Sequence, residues 1–389
     1  MNASKSLLIR NGRIKSMKGP EFIGSILIEG STIAAIGEDL EAPVGAQIIE
    51  AEGKYVLPGF IDAHCHVGIG EEIYQHEGDD LNEMTEPLTP ELRAIDGINP
   101  EDEGFRDARL GGITAVFTTP GSGNVIGGTG VVMKTKGRVV DKMILREPAG
   151  LKVAFGENPK MVYGSEQKKM PMTRMATAAL LRQALVNAET YLEKLDQGIE
   201  DPEKVPERDL GMENIVRVIK REIPLRAHAH RADDIITAIR IAQEFNVDMV
   251  IEHCTEGHKI AEELAEYDYP AIVGPLIVNR AKVEMKEKSF ATPGILARAG
   301  IKVAIMTDHS VVPIDQLTLC AALAAKAGMD EEEALKAITI NPAEILGVDD
   351  RIGSLEVGKD ADIVIWSDHP FVLQARPETV IINGEIVKD

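Results

Sequence analysis

Between residues 55 and 309 one theme recurs: a short apolar run followed by a polar or amphipathic segment. The runs are YVLPGFIDAHCH, GITAVFTTPG, GVVMKTKG, GLKVAFGEN, PLRAHAH, VDMVIEHC, PAIVGPLIV and IKVAIMTDH, and helical periodicity fills segments 173–195, 213–222, 233–245 and 292–299. Strands alternating with helices predict an α/β fold with a parallel sheet, and eight of them close a (β/α)8 TIM-like barrel. An open doubly wound sheet is the alternative, but the Gly-rich phosphate turn that normally follows its first strand is missing. Further helices are expected at 315–327 and 331–340, with Pro342 starting a short one.

The two ends share another texture. SLLIRNGRI, GSILIEGSTIAAIG and QIIEAEGKYVL near the start match GSLEVGKDADIVIWS and TVIINGEIVKD near the finish, all Ile/Val/Leu runs broken by Gly turns. Apart, each would have little core and exposed edges, so the two are expected to pair into one small β-sandwich domain. The division is residues 1–57 with 356–389 for that domain and 58–355 for the barrel.

Composition narrows the function. Asp and Glu number 63 against 42 Lys and Arg, a formal charge of −21, which repels phosphate backbones and anionic lipid, so neither nucleic acid nor membrane is an expected partner. The three cysteines form no C-x-x-C pair, the N-terminal apolar burst is too short for a signal peptide, and no run approaches a membrane span. A cytoplasmic protein is the expectation.

Polar residues able to bind a metal gather at the C-terminal ends of the expected strands, where barrels place their active sites. They are His64 and His66 on the first, Lys152 and Glu157 around the fourth, His228 and His230 on the fifth, His253 on the sixth and Asp308 on the eighth. In an extended backbone His64 and His66 face the same side and Cys65 the other. For each residue a plain structural reading also exists: Lys152 reaching past the strand to solvent, Asp308 capping the next helix, His230 a rim imidazole bonded to a carboxylate. His309 is expected to face away from the metal.

The motifs VLPGFIDAHCH, GLKVAFG, RAHAH, IEHC and MTDH, with the late NPAEILGVDDRIGSLEVGKDADIVIW, resemble the metal-dependent amidohydrolase superfamily over nearly the whole chain. The HAH, EH and NPA wording leans toward its imidazolonepropionase- and prolidase-like branch. The resemblance implies His64, His66 and Asp308 on one metal, His228 and His253 on a second, and a fourth-strand ligand between them. Lys152 is preferred for that ligand as a carbamate, since an ammonium would be repelled by divalent cations, and Glu157 competes because it needs no modification. One or two divalent ions are implied, zinc first, with Mn, Fe or Co as alternatives.

The expected reaction is hydrolysis of an amide or cyclic amide C–N bond in a small substrate. Metal coordination lowers the pKa of water, and Asp308 passes the proton to the leaving amine as general base and acid. His230 is the substrate-facing partner. Tyr163, Arg174 and Lys160 on the 156–176 connector, with Arg231 and Arg280, could clamp an anionic substrate, and the Gly-rich 118–130 loop could cradle a carboxylate. Two other readings stand beside this one. A mononuclear deaminase or imidazolonepropionase-type ring opener would use Asp233 as a proton shuttle, and a non-catalytic scaffold would keep the fold without chemistry. Homo-oligomers are common in the superfamily, and the sequence leaves that state open.

Overall fold

The structure, a computed structural model, describes residues 6–72 and 75–388; the outermost residues of both terminal segments lie outside them. Eight short strands carry the repeating theme: β1 (Phe60–Cys65), β2 (Ile113–Thr118), β3 (Val131–Lys134), β4 (Leu151–Ala154), β5 (Leu225–Ala229), β6 (Met249–His253), β7 (Ala271–Val273) and β8 (Val303–Ile305). Every residue in them is buried, as expected for strands covered on both faces. β4 to β8 pair in parallel, each with the next, and β1 pairs in parallel with β2.

The third run departs from the all-parallel expectation. β3 lies antiparallel to β2, and the preceding strand Ile126–Thr129 lies antiparallel to β4, so the chain reverses between Thr118 and Ile126 and then runs on through Gly130, passing from β4 to β2. The reason is local. No helix separates β2 from Ile126–Thr129, and only a long crossover returns a chain parallel to its neighbour.

Helices Glu103–Leu110, Arg174–Glu200, Leu210–Ile219, Ala232–Glu244 and Thr292–Arg298 fall between the strands. Their starts are set by side chains that take up orphan N–H groups: Asp102 accepts from Gly104, Thr173 from Ala176 and Asp209 from Met212. Helix Ala232–Glu244 buries Ile235, Ala238, Ile239 and Ala242, the spacing of one helical face. Between the strands, Ile61, Ala63, Ala115, Phe117, Val132, Val250, Ile272, Ala304 and Met306 form an apolar interior.

The chain ends do pair. Their strands form a single eight-stranded sheet in the order Glu385–Lys388, Pro377–Ile382, Ile363–Trp366, Tyr55–Pro58, Ser6–Ile14, Phe22–Glu29, Thr32–Gly37, with Gln47–Glu50 also on Ser6–Ile14. Ile9, Ile14, Ile26, Val56, Ile363 and Ile381 make its core.

Candidate metal centre

Register decides which side chains meet. Paired residues in a parallel ladder share a face, so the pairs Lys152–Arg226, Ala154–His228 and His228–Glu252 put Lys152, Arg226, His228 and Glu252 on one side. β1 adds its two histidines through a bulge: Asp62 pairs with Val116 and Cys65 with Thr118, three steps against two. That extra residue lets Ile61 and Ala63 join the apolar interior while His64 and His66 both turn to Asp308. Each Nε2 lies 3.2 Å from Asp308 Oδ1. Asp308 and His253 adopt left-handed backbone, φ 57° and 69°, an uncommon state for residues with a Cβ and one that re-aims side chains at strand ends.

Two groups of donors result. His228, His230 and His253 bring their ligand atoms within 4.8 Å of one another, and so do His64, His253 and Asp308, so His253 belongs to both. Ring centroids of His228 and His253 are 4.2 Å apart, and those of His230 and His253 are 4.5 Å apart. The outer nitrogens are fixed from behind: His66 Nδ1 by Thr119 O at 2.7 Å, His230 Nδ1 by Thr255 Oγ1 at 2.7 Å, and His253 Nδ1 by Gly274 O at 3.0 Å. This leaves Nε2 of each ring for the centre, the arrangement that orients metal-binding imidazoles.

Charge supports the same use. Burial, with the neighbouring imidazoles, holds His228 and His253 well below the usual histidine range, and burial takes His230 down to about 3, so these rings keep free lone pairs at neutral pH. Burial opposes ionisation of Asp308, yet hydrogen bonds with His64 and His66 hold it well below the usual carboxylate range. Among the described residues neither ring nitrogen of His228 has a hydrogen-bond partner, although the residue is 3% exposed. Buried polar atoms are rarely left so, and neutral imidazoles converging with one carboxylate fit a divalent cation.

Lys152 is buried here, with Nζ 2.6 Å from Glu252 Oε2; it does not reach solvent. Glu157 does not join the centre. Gly156, at φ 83°, turns the chain, and the Glu157 amide donates to Glu284 Oε2 at 3.0 Å while its own side chain belongs to neither donor group among the described residues. The expected arginine clamps and Tyr163 are occupied elsewhere. Arg231 grips Asp233 with bonds of 2.8 and 2.9 Å, Arg280 donates to Lys286 O, and Arg174 holds Asp234 at 2.9 Å. The buried Tyr163 hydroxyl sits 2.8 Å from Glu86 O and 2.7 Å from Asn124 Oδ1, bracing the connector. Partners within the protein, local for Arg231 and Arg280 and distant in sequence for Arg174 and Tyr163, hold these groups before a substrate can. His309 faces away from the donors, as expected: Ile314 N donates to its Nδ1 at 3.1 Å and Glu72 lies at 3.3 Å.

Three acidic residues were missing from the sequence reading. Glu252, fully buried, takes Arg226 Nε at 2.7 Å on one oxygen, and on the other meets Lys152 and, 3.0 Å away, His64 Nδ1. Burial alone would raise its pKa, but His64, Lys152 and Arg226 together hold it well below the usual range. The buried Asp62 accepts from His64 N and from both Thr307 N and its hydroxyl, tying β1 to the end of β8. Glu284, 2% exposed, lies with Oε1 3.8 Å from His230 Nε2. One signal could have found Glu252: Arg226 in the middle of an apolar strand demands a buried counter-charge.

Comparison with known proteins agrees with this geometry. The chain matches the amidohydrolase family over residues 55–387. The crystal structure of an amidohydrolase from Thermotoga maritima MSB8 superposes with a TM-score of 0.95 at 45% identity, covering 98% of this chain and 99% of that one. A prolidase complexed with N-methylphosphonate-L-proline shares the fold at a TM-score of 0.63 and 18% identity, over 99% of this chain and all of that one. The imidazolonepropionase of Pseudomonas fluorescens is 25% identical over 89% of this chain and 88% of its own length. Amidohydrolase tasK of Hapsidospora irregularis is 27% identical over 93% of this chain, which spans 40% of tasK. With a family match that runs from Tyr55, just before β1, to the last strand and includes every donor of the centre, the chain belongs to the amidohydrolase family of hydrolases.

Proposed function

We propose that this amidohydrolase cleaves an amide or cyclic amide C–N bond of a small molecule at a centre of one or two divalent ions, zinc first among them. The observation that carries the reading is the pair of donor groups joined at His253 in a buried setting. His64, His66 and Asp308 would hold one ion, and His228, His230 and His253 the other. When bound, such an ion polarises a carbonyl and makes water a nucleophile at neutral pH. Asp308 is ionised there, so its carboxylate takes a proton during attack and delivers it to the departing nitrogen, without which an amine leaves poorly. Glu252 sits behind His64 on its Nδ1 side and fixes the ring so that Nε2 points to Asp308. Lys152 enters the coordination only as a carbamate; as an ammonium it stays on Glu252.

A reading of the architecture goes with this proposal. We infer that the strand groups close into a barrel over residues 58–355, flanked by one small β domain from residues 1–57 and 356–389. Backbone bonds from Asp308 N to His64 O at 3.2 Å and from Gly130 N to Gly150 O at 3.0 Å support closure at the two gaps between the ladders.

The imidazolonepropionase and deaminase names among the relatives favour a second reading, ring opening or deamination at a single metal. Against its use of Asp233 as a shuttle stands the bidentate hold of Arg231 on that carboxylate. Metal content per chain separates a two-ion centre from this single-metal reading, with two equivalents expected. An amide and cyclic-amide screen is then repeated on Asp308→Asn, whose turnover should fall by about 100-fold or more while circular dichroism stays native. Undiminished turnover in that variant would remove Asp308 from the mechanism.

A further inference from the structure

We infer that the site selects a substrate carrying a protonated amine, and that Glu284 receives it. The inference rests on the hydrolase reading and adds the substrate class to it.

Every arginine that the sequence offered for an anionic substrate is engaged by a partner of its own, as described above. Facing the centre instead is a carboxylate with one oxygen unused. Glu284 is 2% exposed and accepts from Glu157 N through Oε2, while Oε1 has no hydrogen-bond donor among the described residues. A half-satisfied buried carboxylate is costly, and such groups persist where a ligand completes them. The free oxygen is also aimed. It lies 3.8 Å from His230 Nε2, and because His230 Nδ1 belongs to Thr255, Nε2 is the nitrogen on the side of the centre.

Among the described residues no cation bonds to Oε1, although Lys282 is close enough to favour its charge. Lys282 gives its Nζ to Asn158 Oδ1, and Arg174 is held by the buried Asp234. Both acids crowd the same backbone point: a Cβ on Gly156 would lie 2.8 Å from Glu284 Oε2 and 3.3 Å from Asp234 Oδ2. Glycine there lets the acidic wall stand against the chain at the rim of the donor groups. A substrate ammonium beside His230 would give Oε1 the charged donor that it lacks, a kind of bond worth more than a neutral one.

The test is binding, read separately from turnover. Metal-loaded protein at pH 7 is titrated calorimetrically with leucinamide, whose amine is free, and with N-acetylleucinamide, whose amine is blocked. Wild type should bind the free amine about tenfold tighter or more, the scale of one charge-assisted hydrogen bond. Glu284→Gln, nearly isosteric, should bring the two ligands within about twofold of each other, with metal content by mass spectrometry unchanged. Equal binding of both ligands by wild type overturns the inference. So does a preference that survives in Glu284→Gln, which would mean that the amine sits on the metal, and so does loss of metal from that variant, which would make Glu284 part of the metal shell. Selective binding without cleavage of any amide would sink the hydrolase reading and leave the amine site standing.

Discussion

Arg226 and Lys152 are cations with almost no solvent exposure, and one carboxylate, Glu252, answers both. Arg226 is further held by a bond to Ala63 O at 2.7 Å and by the face of Phe117, 4.0 Å from its Cζ. Removing the negative partner would strand two buried positive charges. Glu252→Gln is therefore expected to destabilise the metal-free protein by about 3–5 kcal/mol in guanidinium denaturation, against which a loss below about 1 kcal/mol would count decisively. The same change frees the His64 ring, and metal affinity measured by competition with a chelator should weaken about 10- to 100-fold. His64, His66, His228, His253 and Asp308 were legible in the sequence because strand-end histidines and an aspartate are rare enough to notice. Glu252 was not, since it directly precedes His253 and strict alternation puts neighbours on opposite faces. The left-handed turn at His253 breaks that rule and lets both residues point inward.

At the level of elements, the junction between the terminal sheet and β1 depends on Gly59. Its amide donates to Asp362 O at 2.9 Å, and a Cβ there would sit 2.1 Å from Thr114 Oγ1 and 2.7 Å from Thr114 Cβ. Such proximity leaves no room for a methyl group, and the clash involves the stiff base of a β-branched side chain. Gly59→Ala should cost about 1–3 kcal/mol and lower the melting temperature; an unchanged melt would show that the two strands separate freely. Parallel strands and their helices could be anticipated from apolar runs and helix caps. The reversal at β3 could not, because a run of four residues reads alike in either direction. The bulge in β1 was equally hidden: alternation gave the right answer for His64 and His66 as a pair, but the interior places of Ile61 and Ala63 come from the register shift.

Across the whole molecule, strand Ile363–Trp366 lies between Pro377–Ile382 and Tyr55–Pro58, so residues from the finish of the chain complete a sheet begun at its start. A chain ending at residue 360 would lose three strands and leave Tyr55–Pro58 as a bare edge directly before β1. Such a truncation should aggregate on size-exclusion chromatography and bind no metal stoichiometrically; a monomeric, metal-binding product would show that the centre assembles without the sheet. Among the described residues no helix is long and apolar enough to cross a membrane. The sequence by itself determined the alternation of strands and helices, the pairing of the two ends and most donors of the centre, because hydrophobic period and residue type are local properties that survive without coordinates. Tertiary structure alone decided that His230 joins His228 and His253, that Glu157 stays out of both donor groups, that Glu252 carries two buried cations, and that the expected arginine clamps are already engaged. Those outcomes depend on register, on left-handed turns at strand ends and on competition among neighbours for each charge, and none of the three is written in any single stretch of residues.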